Sequence, residues 1–312
     1  MSRDGRFAPS PTGELHIGNL RTALLAWLFA RGAGARFVVR MEDLDLVTSS
    51  RDHAARQLAD LAAIGLDWDG DVVFQSTRFE HYFAAIDELI ARGLTYPCYC
   101  TRKEIQVATV APHGEDAGNT YAGTCARLTQ RAQRAHESAG RRPALRLRAN
   151  SVEVAFVDRQ CGAVAGVVDD FVLRRNDGVP SYNVAVVVDD CAQGIGEVVR
   201  GDDLLSSTPR QLHLAAVLGL PAPSYAHVPL VLGPDGARLA KRHGAVTLRD
   251  LAGDRDQART NRRVTPARVL QHLAASLGLS KLGEPVTPHD LLAHFEPQRL
   301  TRAPWIVSDP LD

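Results

Sequence analysis

A rigid turn meets a helix near the start of the chain, and the residues at the junction suit phosphate chemistry. Pro9, Pro11 and Gly13 lie within five positions, and His16 and Gly18 follow just before a run with helical spacing. Free backbone N–H groups and the helix dipole favour a phosphate at a helix N-terminus. Histidine adds a donor for phosphate oxygens, and glycine lets a flat base or ribose approach the backbone. A His-x-Gly turn alone equally fits a helix start that carries a surface histidine.

A basic loop between glycines, Gly233–Ala245, provides a second signal. It contains Arg238, Lys241 and Arg242. A phosphate-rich leaving group needs positive charge that reaches it in the transition state, and cations on a loop able to close supply that charge. A basic loop is usually only a solvated surface, but combined with the His-x-Gly turn it indicates nucleotide chemistry.

Three of the cysteines suit a metal ion. Cys98 and Cys100 are one residue apart, and Cys125 follows downstream. Thiolates at i and i+2 can bind one ion, and zinc prefers four ligands in a tetrahedron. The donors available for the fourth position are His113, His136 and Tyr121. The alternative is a set of reduced thiols without metal.

The elements that must position these residues alternate between strand and helix. Strands are predicted at Arg6–Phe7, Phe37–Glu42 and Asp71–Gln75, with a helix after each. The first helix is predicted to be amphipathic, and the second to be capped by Ser49. This alternation predicts an α/β fold with a doubly wound parallel sheet of Rossmann type. Ligands gather at the carboxyl ends of such strands, where the His-x-Gly turn also lies.

The alternation stops at Tyr96, and residues 96–143 are predicted to form an insertion that carries the clustered cysteines. The unbroken valines of Asn183–Asp190 predict a strand covered on both faces. We expect residues 1–251 to form the catalytic domain around this insertion. Residues 252–312 are expected to form a short helical C-terminal region, with two helices that begin at threonine caps followed by proline.

Composition excludes several classes of protein. The chain has 312 residues, of which 45% are hydrophobic and 23% charged, and Lys+Arg balance Asp+Glu at 36 each. These values indicate an ordinary globular protein without a general polyanion-binding surface. No apolar run reaches spanning length and no signal peptide is evident, so a cytoplasmic protein is expected. Five cysteines argue against a disulfide framework, and Cys161 and Cys191 are predicted to be small buried hydrophobic residues.

The turn and the basic loop together resemble the His-Ile-Gly-His and Lys-Met-Ser-Lys-Ser motifs of class I aminoacyl-tRNA synthetases. The segments that are similar to the glutamyl branch of that family are Gly5–Gly13, Arg40–Asp45 and Val199–Leu204. The resemblance extends from Arg6 to the basic loop. Asn19 occupies the place of the second histidine, and Lys241 with a basic neighbour is what remains of the second motif.

This resemblance implies a ligase that joins L-glutamate to AMP from ATP, with Mg²⁺. The implied ATP-binding residues are His16, Gly18, Asn19 and Lys241, of which His16 and Lys241 are also catalytic. The implied glutamate-binding residues are Arg6, Phe7, Ala8, Pro9, Ser10, Glu42, Tyr182 and Arg200. Guanidinium groups pair with carboxylates in a bidentate way, and a carboxylate suits the α-ammonium group. The alternative for each charged residue is a structural ion pair, and for Tyr182 a packed ring.

The same resemblance implies a structural zinc site. Short glutamyl paralogues have the pattern Cys-x-Cys…Tyr-x-x-x-Cys, which corresponds here to Cys98, Cys100, Tyr121 and Cys125. The metal would fold an insertion that is too small to hold itself together.

Only residues 242–312 follow Lys241, and we expect no anticodon-binding domain there. In this respect the chain resembles the short glutamyl-queuosine tRNA(Asp) synthetases, which transfer glutamate to the queuosine base in the anticodon loop. The implied partners are ATP, L-glutamate and queuosine-containing tRNA(Asp), and a monomer with no membrane association is expected. Three alternatives stay open: a truncated or discriminating glutamyl-tRNA synthetase, a non-catalytic tRNA-binding paralogue, and a small-molecule adenylyltransferase.

Overall fold

The computed structural model describes residues 4–101, 103–105, 121–239, 247–252 and 264–307. The strands are β1 (Asp4–Phe7), β2 (Phe37–Met41), β3 (Val73–Phe74), β4 (Thr95–Cys98), β5 (Ala144–Leu147), β6 (Glu153–Asp158), β7 (Gly162–Val167), β8 (Val172–Arg174), β9 (Ile195–Gly201), β10 (Ser224–Val228), β11 (Val231–Leu232) and β12 (Trp305–Ile306). The α-helices are α1 (Ile17–Gly32), α2 (Arg51–Ala63), α3 (Phe79–Ala91), α4 (Gln130–Ser138), α5 (Tyr182–Ala192), α6 (Thr208–Val217), α7 (Leu248–Ala252), α8 (Pro266–Ser276) and α9 (Pro288–Leu292).

Five parallel strands form the main sheet, in the order β10-β9-β1-β2-β3. The predicted parallel α/β architecture is therefore confirmed. Side chains alternate across the sheet: Val39 packs in the core that contains α1, whereas Val38 packs in a separate cluster on the other face. Because β1 lies between β9 and β2, the carboxyl ends of these three strands are neighbours.

The predicted strand over Asn183–Asp190 is wrong, since this segment lies in helix α5. Periodicity does not separate a buried strand from a buried helix in a short apolar run, and β-branched residues bias the choice towards a strand. Tertiary packing decides here, because α5 is enclosed by α3, α6 and β9. One consequence is that Tyr182 begins a helix, and another is that Asp189 and Asp190 become buried beside the main sheet.

Helix α1 forms as predicted, but it is not amphipathic. Its buried residues surround the helix, and Asn19 and Thr22 are the only partly exposed positions before Arg31. Helices α8 and α9 cover the side that faces away from the sheet, where Trp27 meets His289 edge-on at a centroid distance of 5.2 Å. The face of α1 that points away from the sheet is thus also buried, which explains its apolar side chains.

The caps of the other helices follow local rules. Ser50, not the predicted Ser49, caps α2, and its hydroxyl accepts hydrogen bonds from the N–H groups of Asp52 and His53. Helices α8 and α9 begin as predicted, with Thr265 and Thr287 as caps and proline at the first turn.

Between β3 and β9 the chain leaves the main sheet. Strands β4, β5 and β8 form an antiparallel sheet, and β6 pairs with β7 in a hairpin. Strands β5 and β8 both follow residue 143, where the predicted insertion ends.

The prediction that the two remaining cysteines are buried is wrong. Cys161 is exposed in the turn of the hairpin and Cys191 is partly exposed in α5. Across the described ranges, no helix has the length and apolarity needed to cross a membrane.

A substitution at Gly5 tests how closely β1 and α1 approach each other. A Cβ atom at this position would lie 2.9 Å from the Cβ of Ala30, closer than side chains pack. We expect Gly5→Ala to lower the free energy of unfolding by about 1–3 kcal/mol through overpacking, measured by urea denaturation. Gly32→Ala is the control, because its nearest neighbours lie at 3.5 and 3.7 Å. Equal stability of the two variants would contradict the close approach.

Candidate functional site

A cavity of about 630 Å³ opens at the carboxyl ends of β1, β2 and β9. It brings together every predicted ligand-binding residue that the structure describes. These are Arg6, Phe7, Ala8, Pro9, Ser10, His16, Gly18, Asn19, Glu42, Tyr182 and Arg200. Lys241 lies outside the described residues. The predicted residues thus come from two strands, two helices, the loop after β1 and the position directly after β2, and they meet in one place.

His16 is the N-cap of α1 and forms a reciprocal pair with Asn19. The Nδ1 atom of His16 accepts a hydrogen bond from the N–H of Asn19 at 3.2 Å, and Asn19 Oδ1 accepts from the N–H of His16 at the same distance. With Nδ1 acting as an acceptor, the ring proton resides on Nε2. Burial and the nearby charge of Arg238 lower the pKa of His16 to about 4, so the imidazole is neutral near pH 7.

Gly18 provides room for this imidazole. A Cβ atom at Gly18 would lie 2.9 Å from Cε1 and Nδ1 of His16 and 3.3 Å from Cβ of Val231. The sequence interpretation gave glycine the role of admitting a base or ribose. The structure shows a steric role within the protein as well, because only glycine leaves the histidine ring in its capping position.

A buried network of charges lies under Arg6 and Glu42. Asp190 Oδ1 lies 3.4 Å from Arg6 Nε, an ion-pair distance without hydrogen-bond geometry, and 2.8 Å from Arg40 Nη1. Arg40 Nη2 lies 3.5 Å from Glu42 Oε1. Burial raises the pKa of Glu42, although both arginines act against that shift. A cation beside Glu42 would favour its ionised form.

Arg200 is surrounded differently, by neutral acceptors. Its guanidinium donates to Gln211 Oε1 and Thr208 Oγ1, each at 2.8 Å, and to His227 Nε2 at 3.0 Å. The hydroxyl of Tyr182 lies 3.5 Å away. Within the described ranges no carboxylate lies at ion-pair distance from Arg200, which is only 4% exposed. Among the described residues its charge is therefore held beside the cavity without an acidic partner.

Sequence reasoning missed several residues that shape this cavity. Asp190 was assigned to a strand, so its pairing with Arg6 was not expected. Arg40 was noted in a motif, but not as the link between Asp190 and Glu42. Arg238 was noted as a cation of the basic loop, but its ion pair was not expected: it lines the cavity and donates to Asp203 Oδ2 at 2.6 Å. His227 has no local sequence signal, because its partners lie on other elements.

The three clustered cysteines also come together. The Sγ atoms of Cys98, Cys100 and Cys125 lie within 4.8 Å of one another. The hydroxyl of Tyr121 lies 3.3 Å from Cys98 Sγ and 3.7 Å from Cys100 Sγ. His136 instead stacks on the ring of Tyr99, and no histidine in the described part of the chain joins the group. His113 lies outside the described residues.

Comparison with known proteins identifies the family. The family model for the catalytic domain of class I tRNA synthetases (E and Q) matches residues 4–296. The chain belongs to this family. A glutamyl-Q tRNA(Asp) synthetase from Nocardia farcinica is 58% identical over 305 residues, which cover 98% of this chain and 93% of the relative. One from Symbiobacterium thermophilum is 49% identical over 96% of this chain and 94% of the relative.

A solved structure supports the same family. The glutamate-tRNA synthetase from Elizabethkingia anophelis matches with a TM-score of 0.80 and 25% identity, over 99% of this chain and 68% of that chain. The resemblance seen in the sequence is confirmed. In this class I tRNA synthetase, Asn19 takes the place of the second motif histidine, and the structure gives it a definite task as the partner of His16 in the helix cap.

The lowered pKa of His16 predicts how the stability of this synthetase depends on pH. The unfolded chain binds a proton at His16 near pH 6.5, whereas the folded chain does so near pH 4. The contribution of neutral His16 is therefore complete above pH 6.5 and is lost as the pH falls towards 4. We expect the melting temperature to fall more steeply over this range in the wild type than in His16→Asn, which retains a capping side chain. Parallel pH profiles of the two proteins would contradict the assignment.

Proposed function

We propose that this chain activates L-glutamate with ATP and transfers the glutamyl group to the queuosine base of tRNA(Asp). The observation that carries the proposal is its similarity to proteins named glutamyl-Q tRNA(Asp) synthetase over 93–94% of their length. The cavity supports the proposal because it combines a helix N-terminus suited to phosphate with buried arginines suited to an acidic amino acid.

Glutamate would bind between the strand ends. Arg200 has a guanidinium without a carboxylate partner in the described residues, so it suits the side-chain carboxylate of the substrate. Tyr182 lies beside it and Arg6 lines the same cavity. The α-ammonium group would lie next to Glu42, whose ionised form needs a nearby cation. Phe7, Ala8, Pro9 and Ser10 would form the wall that continues from β1.

ATP would bind at the start of α1. The Nε2–H of His16 is free to donate to a phosphate oxygen because Nδ1 already serves as the cap, and Gly18 and Asn19 lie beside it. The glutamate α-carboxylate attacks the α-phosphorus, a carboxyl–phosphate bond forms, and the bond to pyrophosphate breaks. His16 and Lys241 would stabilise the charge on the phosphates, and Mg²⁺ would neutralise part of it when bound.

Transfer would complete the reaction. A hydroxyl of the queuosine cyclopentene ring attacks the activated carbonyl carbon, an ester bond forms, and AMP leaves with the electrons of the broken carboxyl–phosphate bond. Positioning and electrostatics supply most of the catalysis in this scheme, since the residues of the cavity form no covalent intermediate.

We propose that Cys98, Cys100, Cys125 and Tyr121 hold a structural zinc ion. Zinc–sulfur bonds of about 2.3 Å in a tetrahedron separate sulfur atoms by about 3.8 Å. The Sγ atoms of Cys100 and Cys125 are 3.5 Å apart, which fits this spacing. Burial raises the pKa of Cys100 to about 12, so its thiolate needs a cation such as zinc beside it. The ion would join the strand β4 to the segment around Cys125.

The decisive experiment measures activation and transfer separately. Wild-type protein should catalyse glutamate-dependent exchange between ATP and pyrophosphate without tRNA. Radioactive glutamate should then label tRNA(Asp) that contains queuosine, and removal of the 3′-terminal adenosine should leave the labelling intact. Labelling that requires the 3′-terminal adenosine would indicate a glutamyl-tRNA synthetase instead. Absence of both exchange and labelling would indicate a non-catalytic tRNA-binding protein.

Arg200 gives a sharp test of glutamate recognition. We expect Arg200→Ala to reduce kcat/KM for glutamate in the exchange assay by at least about a hundredfold, because a hydrogen-bonded charge pair is lost. Arg175→Ala is the control, since Arg175 pairs with Asp177 at the surface. Circular dichroism should show both variants folded. Normal exchange by folded Arg200→Ala would remove Arg200 from the site.

The zinc proposal predicts bound metal in purified protein. We expect about one zinc per chain by elemental analysis, and faster loss of zinc to a chelator in Tyr121→Phe than in the wild type. Cys161→Ser is the control, because Cys161 is exposed and lies outside the cluster. Zinc retention that is the same in all three proteins would argue against Tyr121 as a ligand.

A further inference from the structure

A buried hydrogen-bond chain lies behind Arg200. Arg200 on β9 and His227 on β10 are direct neighbours in the register of the two strands. The Nε–H of Arg200 donates to Nε2 of His227 at 3.0 Å, and His227 Nδ1 lies 2.6 Å from Asp158 Oδ2. The side chains of His227 and Asp158 are both fully buried.

The contacts of this chain define which ring nitrogen of His227 carries the proton. Nε2 can accept from Arg200 only when it is unprotonated, so the proton resides on Nδ1 and is donated to Asp158. Asp158 is itself oriented, because its Oδ1 accepts from the backbone N–H groups of Gln160 and Cys161, each at 2.8 Å. The hairpin β6–β7 therefore contributes a fixed carboxylate to the back of the cavity.

The electrostatics agree with this arrangement. Burial lowers the pKa of His227 and the charge of Arg200 lowers it further, against the effect of Asp158, so the ring stays neutral. Burial opposes ionisation of Asp158, but hydrogen bonds from His227 and the backbone outweigh it and lower the pKa of Asp158 to about 2.

We propose that Asp158 and His227 are positioning residues that orient the guanidinium of Arg200 towards the side-chain carboxylate of glutamate. This inference rests on the function proposed above. A carboxylate in direct contact with Arg200 would hold the guanidinium but would also neutralise it. The imidazole between them fixes the Nε–H while it keeps the negative charge of Asp158 away from the guanidinium. The positive charge of Arg200 thus stays available to the substrate.

A pair of variants at His227 separates positioning from a general structural role. The amide oxygen of His227→Gln can reach the place of Nε2 and accept from Arg200. The shorter His227→Asn can replace Nδ1 towards Asp158, but it leaves the Nε–H of Arg200 without its acceptor. In tRNA-independent exchange we expect His227→Asn to raise KM for glutamate about tenfold to a hundredfold, with KM for ATP within about twofold of the wild type. His227→Gln should recover most of the glutamate affinity.

Asp158→Asn tests the proton position directly. The two backbone N–H groups would hold the amide oxygen, so the amide NH₂ would face Nδ1 of His227 and move the ring proton to Nε2. That proton would then oppose the Nε–H of Arg200. We expect a higher KM for glutamate and a change of tautomer in ¹⁵N NMR spectra of histidine-labelled protein, with His227 assigned from the signal that changes in its variants.

The outcomes distinguish this inference from the function on which it rests. Wild-type protein without glutamate-dependent exchange would contradict the proposed function. If the wild type is active, two results would overturn the positioning role. One is an equal loss of glutamate affinity in His227→Gln and His227→Asn. The other is a ring proton on Nε2 of His227 in the wild type. The tautomer of His227 in the wild-type protein tests the positioning role even where a variant fails to fold.

Discussion

Burial of positive charge at the carboxyl ends of the parallel strands is the constraint on which this structure depends. Arg6, Arg40 and Arg200 are all nearly inaccessible to solvent, and an uncompensated buried charge is strongly destabilising. Asp190 compensates the first two from helix α5. Arg200 instead receives neutral acceptors, which stabilise it by hydrogen bonds without cancelling its charge. An acidic ligand is the natural complement of such a site.

At the start of α1, each side chain also has more than one use. His16 serves as a cap through one nitrogen and keeps the other for the cavity, while Asn19 completes the cap and Gly18 leaves space for the ring. The helix N-terminus that we propose for phosphate therefore lines the same cavity as Arg6 and Arg200, which we propose for carboxylate. Activation of a carboxylate by a nucleotide requires these two ligands side by side, so the fold unites the two halves of the chemistry.

Most of the fold could be predicted from the sequence, and the errors have physical causes. The parallel α/β order follows from alternating strand and helix patterns, and the threonine caps follow from local hydrogen bonding. The valine-rich segment now seen as α5 was mistaken for a strand because a short buried apolar run has no decisive period. Helix α1 was expected to have a polar face, but the C-terminal helices cover that face.

The sequence by itself determined which residue types line the cavity and form the cysteine cluster, because the motifs around His16, Glu42 and Arg200 and the Cys-x-Cys pattern are local in the chain. Only the tertiary structure decided how these residues are held. The contacts from Asp190 to Arg6, and from Asp158 through His227 to Arg200, join elements far apart in sequence. Such contacts leave no periodicity or spacing to read, since they depend on strand order and on the path of a hairpin that folds back against the main sheet.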